Sequence, residues 1–107
     1  MEDEAYDPWL YLGPIRGLEL IGRILWGGSY QLTPHASAEM AKDDLDLVDC
    51  VNVLMSGSID PARSGDRSPD PGLEGCRYAV RARGITVTVE MPSPMKLVVV
   101  TAWRIEP

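Results

Sequence analysis

The sequence predicts an α+β domain, N-terminal helices packed on an antiparallel sheet of three to four strands, and three observations carry that reading. Between Ile15 and Met55 apolar residues recur at helical spacing. In the last third they alternate instead, Cys76, Tyr78, Val80 and Ala82 interleaving with Arg77, Ala79, Arg81 and Arg83. A Gly- and Pro-rich stretch, residues 57–75, separates the two patterns. At 107 residues, the chain is read as a single domain, 1–107, with a modest core and a shallow site.

Residues 1–9 combine four acids with Pro8 and show no period, so they read as an acidic arm that docks, if at all, through Tyr6 or Trp9. Pro14 suits a first helical position, and Ile15, Leu18, Ile21 or Gly22, and Leu25 then form one stripe that Gly27-Gly28 ends. Ser29 to Leu32 is a short extended connection. Thr33-Pro34 supplies a cap and a first-turn proline for a helix running to about Lys42, with Ala36 and Met40 inward and His35 and Glu39 together on another face. Asp46, with Asp49 three residues on, caps a further helix whose stripe is Leu47, Val48, Val51, Leu54 and Met55, closed by Gly57. Cys50 sits at the margin of that stripe and reads as a packing residue.

Residues 57–75 hold four Gly and three Pro and read as a long loop, either a substrate flap or a disordered excursion. Arg83-Gly84 permits a tight turn from the first strand into a second, in which Ile85, Val87, Val89 and Met91 alternate with Thr86, Thr88 and Glu90. Pro92-Ser93-Pro94 turns again. Leu97 to Ala102 is apolar on both faces, which predicts a third strand buried centrally.

The net charge of −6 argues against a nucleic-acid partner until its distribution is read. Residues 1–62 carry three basic and eleven acidic side chains, whereas residues 63–107 carry seven basic and five acidic. Arg77, Arg81, Arg83, Lys96 and Arg104 fall on or beside strands, where they form either one patch or the solvated face of a half-buried sheet. One basic face on an acidic body suits weak, salt-sensitive RNA binding or an acidic protein partner. No apolar run reaches the roughly 18–20 residues that cross a bilayer, and the acidic start is unlike a signal peptide. Two cysteines without C-x-x-C spacing point to a reduced, cytoplasmic setting and to no zinc site. Neither phosphate-cradling glycine loop is present, nor a G-x-S-x-G elbow, so no cofactor and no metal are expected.

What remains is His35 with a set of arginines. Metal-free RNA cleavage needs a base for the 2′-OH proton, an acid for the departing 5′-oxygen and cations for the charged phosphorane. His35 at a helix start fits the first role, Glu39 orients its ring, and Arg77, Arg81, Arg83 or Arg104 offers the bidentate fork. Against this stands the ordinary alternative, in which a lone first-turn histidine is a surface or capping residue.

The runs Leu32-Thr33-Pro34-His35-Ala36 with Glu39-Met40, VDCVNVLMSG, CRYAVRARGITVTVEM and LVVVTAWR resemble a family of uncharacterised small bacterial domains, similar to the MqsR and RelE type of ribonuclease toxin, over about residues 30–104. The resemblance implies a curved antiparallel sheet packed on helices, cleavage of mRNA and an antitoxin partner. It carries over to His35, Arg77, Arg81, Thr101 and Arg104, and departs from the family at Glu39 and Met40, where related domains often have an Arg. With the residue chemistry above, the expected catalytic set is His35, Glu39, Arg81 and Arg104 and the expected RNA-binding set Arg77, Arg83, Lys96 and Thr101. The rival expectation is a non-catalytic protein-binding module, or a nucleic-acid mimic, on the same fold.

Overall fold

The computed structural model describes residues 6–68 and 74–105. Its elements are α1 (Gly13–Gly27), β1 (Ser29–Leu32), α2 (Pro34–Lys42), α3 (Leu47–Ser56), β2 (Ser58–Ile59), a 3-10 turn (Pro61–Arg63), β3 (Arg77–Ala82), β4 (Ile85–Ser93) and β5 (Lys96–Arg104). The fold is α+β, but the sheet has five strands in the order β1-β5-β4-β3-β2 and is mixed, because β1 runs parallel to β5. The predicted antiparallel sheet of three to four strands is therefore corrected at both edges. Ser29 to Leu32 is a strand, not a connection, and residues 57–68 are not structureless: they supply β2 and the 3-10 turn. A single antiparallel bridge, Arg67 to Cys76, joins the described flanks of the remaining loop, while residues 69–73 lie outside the described residues. So do residues 1–5 of the acidic arm.

Local chemistry explains most elements. The Thr33 hydroxyl accepts the Ala36 N–H and caps α2. Asp46 and Asp49 exchange side chain and backbone bonds in a full capping box at the start of α3. At the β3–β4 turn both Arg83 and Gly84 have positive φ, 55° and 76°, the geometry whose twist matches a two-residue hairpin.

The helices cover one face of the sheet. Ile21 and Ile24 of α1, Ala36 and Met40 of α2, and Cys50, Val53 and Leu54 of α3 pack on Tyr78, Val80, Val87, Val89, Leu97, Val99 and Ala102. Two predicted stripes are rotated. On α1 the buried set is Gly17, Leu20, Ile21 and Ile24, and Ile15 is 74% exposed. Gly17 is the reason: a Cβ there would lie 2.7 Å from Tyr78 Cε2, so the helix turns its side-chain-free face onto the tyrosine ring. On α3 Cys50 is at the centre of the buried face, its thiol 3.8 Å from Met40 Sδ, while Val48 and Met55 are exposed.

One bulge decides what the opposite, open face displays. Thr88 pairs with Thr101 but Val89 pairs with Val99, so β5 carries Val100 as an extra residue. Strand parity shifts by one there. Val99 and Ala102 both face the helices, and Thr101 and Trp103 are carried to the open side with Thr88 and Thr86. The open face of β4 is drier than its alternation predicts, since Thr86, Thr88 and Glu90 are all buried, Thr86 between Arg81 and Trp103 and Glu90 beside Arg77. The turn predicted at Pro92-Ser93-Pro94 falls later, because β4 runs through Ser93.

The half of β5 that β1 does not reach, Val100 to Arg104, borders α2. There the Thr33 hydroxyl donates to the Val100 carbonyl, Glu39 Oε1 accepts the Ala102 N–H at 3.3 Å, and Asp43 Oδ2 accepts the Arg104 N–H at 2.8 Å. Four helical residues rise about 6 Å and two strand residues about 6.6 Å, so carboxylates at i and i+4 match successive inward N–H groups of a strand edge. The helix thus serves as a substitute for the missing strand.

Candidate functional site

The bulge builds a groove of about 550 Å³ on the open face of the sheet. Its floor is the rung Ala79, Thr88, Thr101; Trp103 stands on one side and Arg77 on the other. The 3-10 turn and the segment after it close the remaining wall with Arg63, Asp66 and Arg67. Gly65 and Asp66 are fastened to β3 by backbone bonds to Arg77, which sets those arginines beside the sheet.

Each cation is held differently. Arg77 Nε lies 3.4 Å from Glu90 Oε2, and Glu90 is only 1% exposed, so a buried carboxylate fixes the direction of this guanidinium. Arg67 lies over the Trp9 ring at 4.9 Å from its centroid, a cation–π contact that places a second aromatic at the end of the arginine wall. Arg63 Nε lies 3.9 Å from Asp60. The Thr101 hydroxyl oxygen is buried and meets no hydrogen-bond partner among the described residues.

His35 projects from the first turn of α2, largely exposed, with Nε2 3.4 Å from Glu39 Oε2. The other Glu39 oxygen takes the Ala102 N–H, and Ala102 lies between the two β5 residues, Thr101 and Trp103, that line the groove. The imidazole–carboxylate pair is thereby tied to the strand that forms the groove.

Of the residues singled out from the sequence, the fold brings His35 to Glu39 and sets Arg77 and Thr101 in the groove. The others are dispersed. Arg81 reaches outward to Asp60, at 3.4 Å, on the β2 side. Since α2 lies beyond β5, Arg81 and His35 are separated by at least two strand spacings, roughly 10 Å. Arg83 occupies the hairpin turn. Arg104 donates to the Asp43 and Asp44 carbonyls at the end of α2. Lys96 is at the opposite end of β5, roughly 25 Å along the strand from Arg104, so the two cannot share one phosphate.

Sequence reasoning missed Arg63, Arg67, Thr88, Trp103 and Trp9. Two arginines inside the presumed loop, and a Trp two residues after Thr101, were the available signals. Neither cysteine competes as a nucleophile. Burial, with the charges of Asp49 and Asp46 behind it, pushes the Cys50 thiol up to about 11, and burial also raises that of Cys76. Among the described residues no group of three or more His, Cys, Asp or Glu side chains is placed to hold a metal ion, and no helix is long and apolar enough to cross a membrane. Comparison of the chain with protein-family models, with curated proteins and with solved structures finds no match in any of the three.

Proposed function

We propose that the open sheet face binds single-stranded RNA and that the protein is a metal-independent endoribonuclease of toxin type. The observation that carries this reading is the groove lined by Arg63, Arg67, Arg77, Thr88, Thr101 and Trp103, with the His35–Glu39 pair bonded to the edge of β5 beside it. Arginine forks suit phosphate, an indole face suits an unstacked base, and a hydroxyl suits a 2′-OH or base edge.

In this reading neutral His35 takes the proton of a 2′-OH while that oxygen attacks the adjacent phosphorus. The P–O5′ bond breaks, and the departing 5′-oxygen takes its proton from water, which has access to an open groove. The products are a 2′,3′-cyclic phosphate and a 5′-hydroxyl end. Glu39 orients the ring, while Arg67 and Arg77, rooted across β4 and β5 at least two strand spacings, roughly 10 Å, from His35, hold neighbouring phosphates of the bound strand and not the scissile one. His35 is the chain's one histidine, so a second imidazole to act as the acid is not available. Arg81, Arg83, Lys96 and Arg104 act, if at all, on phosphates outside the groove. The same reading gives a cytoplasmic enzyme held in check by a protein antitoxin.

The test is incubation of labelled single-stranded RNA with purified protein in EDTA, beside an oligomer carrying 2′-deoxy sugars throughout. Cleavage to cyclic phosphate ends is expected, absent from the deoxy oligomer, reduced at least about 100-fold by His35→Ala, and shifted to higher RNA concentration by Arg67→Ala. Intact RNA, or equal cutting by both variants, refutes it. A non-catalytic protein-binding module is favoured by a separate observation, the exposed apolar residues Ile15, Trp26, Val48 and Met55 on the helical layer.

A further inference from the structure

Among the described residues, the edges of β3 and of the distal half of β5 are covered by the chain itself. On the β3 side, β2 pairs with Val80 and Arg81, and the Asp60 N–H, the Ser64 hydroxyl, the Gly65 N–H and the Asp66 carbonyl take up the outward groups of Ala79 and Arg77. On β5, Thr33, Glu39 and Asp43 occupy the edge beyond β1. The outer edge of β1 has no such cover among the described residues. Ser29 N–H donates to the Met95 carbonyl and Thr33 N–H to the Val99 carbonyl, so strand alternation turns Gln31 inward and the N–H and C=O of Tyr30 and Leu32 outward.

This edge also lacks the devices that keep edges apart. Ser29, Tyr30, Gln31 and Leu32 include no proline, no lysine and no charge, and β1 holds an unbroken register with Lys96 to Val99. Three exposed apolar side chains surround it: Tyr30 itself, Met95, whose carbonyl holds Ser29, and Trp26, which is 84% exposed at the end of α1.

We propose that β1 is the dimerisation edge of this protein, pairing antiparallel with β1 of a second copy across a two-fold axis through Gln31. Charge selects the occupant. Two copies of net charge −6 repel least where the contact carries no charge, and β1 presents none, whereas a strongly charged peptide finds no opposite charge on the strand. The register follows from the outward groups: Tyr30 stands opposite Leu32 of the second copy and exchanges two hydrogen bonds with it, and symmetry repeats the pair. The two sheets then join as one, with both RNA grooves left open, since the grooves lie on the sheet face and not at this edge. The inference does not depend on the nuclease reading.

The experiment is sedimentation of the full chain from about 1 to 500 µM, with amide exchange measured at both ends of that range. A dimer is expected whose Tyr30 and Leu32 amides become protected as concentration rises. Gln31→Lys, which sets two like charges face to face on the axis, weakens association at least tenfold. Tyr30→Pro, which deletes an outward N–H and leaves the ladder to β5 intact, abolishes it. A chain that stays monomeric at 500 µM overturns the proposal. So does a dimer indifferent to both variants, or one that leaves the Tyr30 and Leu32 amides unprotected, since the contact would then lie elsewhere.

Discussion

Replacing Glu39 or Asp43 by alanine tests whether α2 holds the sheet edge, and the sizes of the effects follow from the geometry. Each carboxylate accepts one strand N–H, at 3.3 Å for Ala102 and 2.8 Å for Arg104. Charge-assisted bonds of this kind contribute about 1.5–3 kcal/mol when enclosed, and partial solvent exposure of both groups reduces that to about 1–2 kcal/mol each. For a domain of this size 1 kcal/mol moves the melting midpoint by about 4–8 °C. Urea unfolding is therefore expected to report a loss of about 1–2 kcal/mol for Glu39→Ala and for Asp43→Ala, with faster exchange of the Ala102 and Arg104 amides respectively. Glu39→Gln keeps an oxygen acceptor and is expected to lose less than half as much. His35→Ala removes only an exposed partner of Glu39 and is expected to stay within about 0.5 kcal/mol of the parent. The reasoning fails if Glu39→Ala unfolds like the parent and leaves the Ala102 amide protected.

Two further outcomes concern the core. Gly17→Ala is expected to destabilise by about 1–2 kcal/mol, because the clash of a Cβ with Tyr78 outweighs the gain of up to about 1 kcal/mol in helix propensity; a thermal melt at or above the parent midpoint contradicts this. Stability is also expected to fall on the alkaline side. The Cys50 thiol is neutral when protonated and is pushed from 9.0 to about 11, so the fold keeps a proton that the unfolded chain releases. Its contribution is complete below about pH 9 and declines by about 1.4 kcal/mol per unit up to about pH 11. Tyr6, pushed up to about 12 chiefly by burial, continues the decline. Cys50→Ala is expected to flatten the slope between pH 9 and 11 in chemical unfolding measured at several pH values, and an unchanged slope would remove Cys50 from the account.

Features written in local chemistry were legible in the sequence. Thr33-Pro34, Asp46 with Asp49, and Arg83-Gly84 specify their caps and turn through side chains and backbone angles within four residues, and all three formed as read. Features decided by tertiary packing were not. The α1 stripe through Ile15 shares Ile21 with the buried one, and only the approach of Tyr78 to Gly17 selects between them. Val98, Val99 and Val100 carry no parity signal, because identical side chains suit either face; the bulge among them is invisible, and with it the outward turn of Thr101 and Trp103. The parallel pairing of β1 joins residues nearly seventy positions apart, beyond any local pattern. For the candidate site, alternation on β3 identified Arg77 as outward-facing, but no spacing rule connects it to Arg63 and Arg67. Those two reach the groove because Gly65 and Asp66 bond to the edge of β3.

The most direct test of the account is an amide and indole chemical-shift titration with a single-stranded oligoribonucleotide blocked by 2′-O-methyl groups, which binds without being cut. The expected result is a contiguous footprint on Ala79, Thr88, Thr101 and the Trp103 indole that extends to Arg67 and Trp9 and weakens steeply with salt. Shifts confined to the helical layer, or no shifts at low salt, would contradict it.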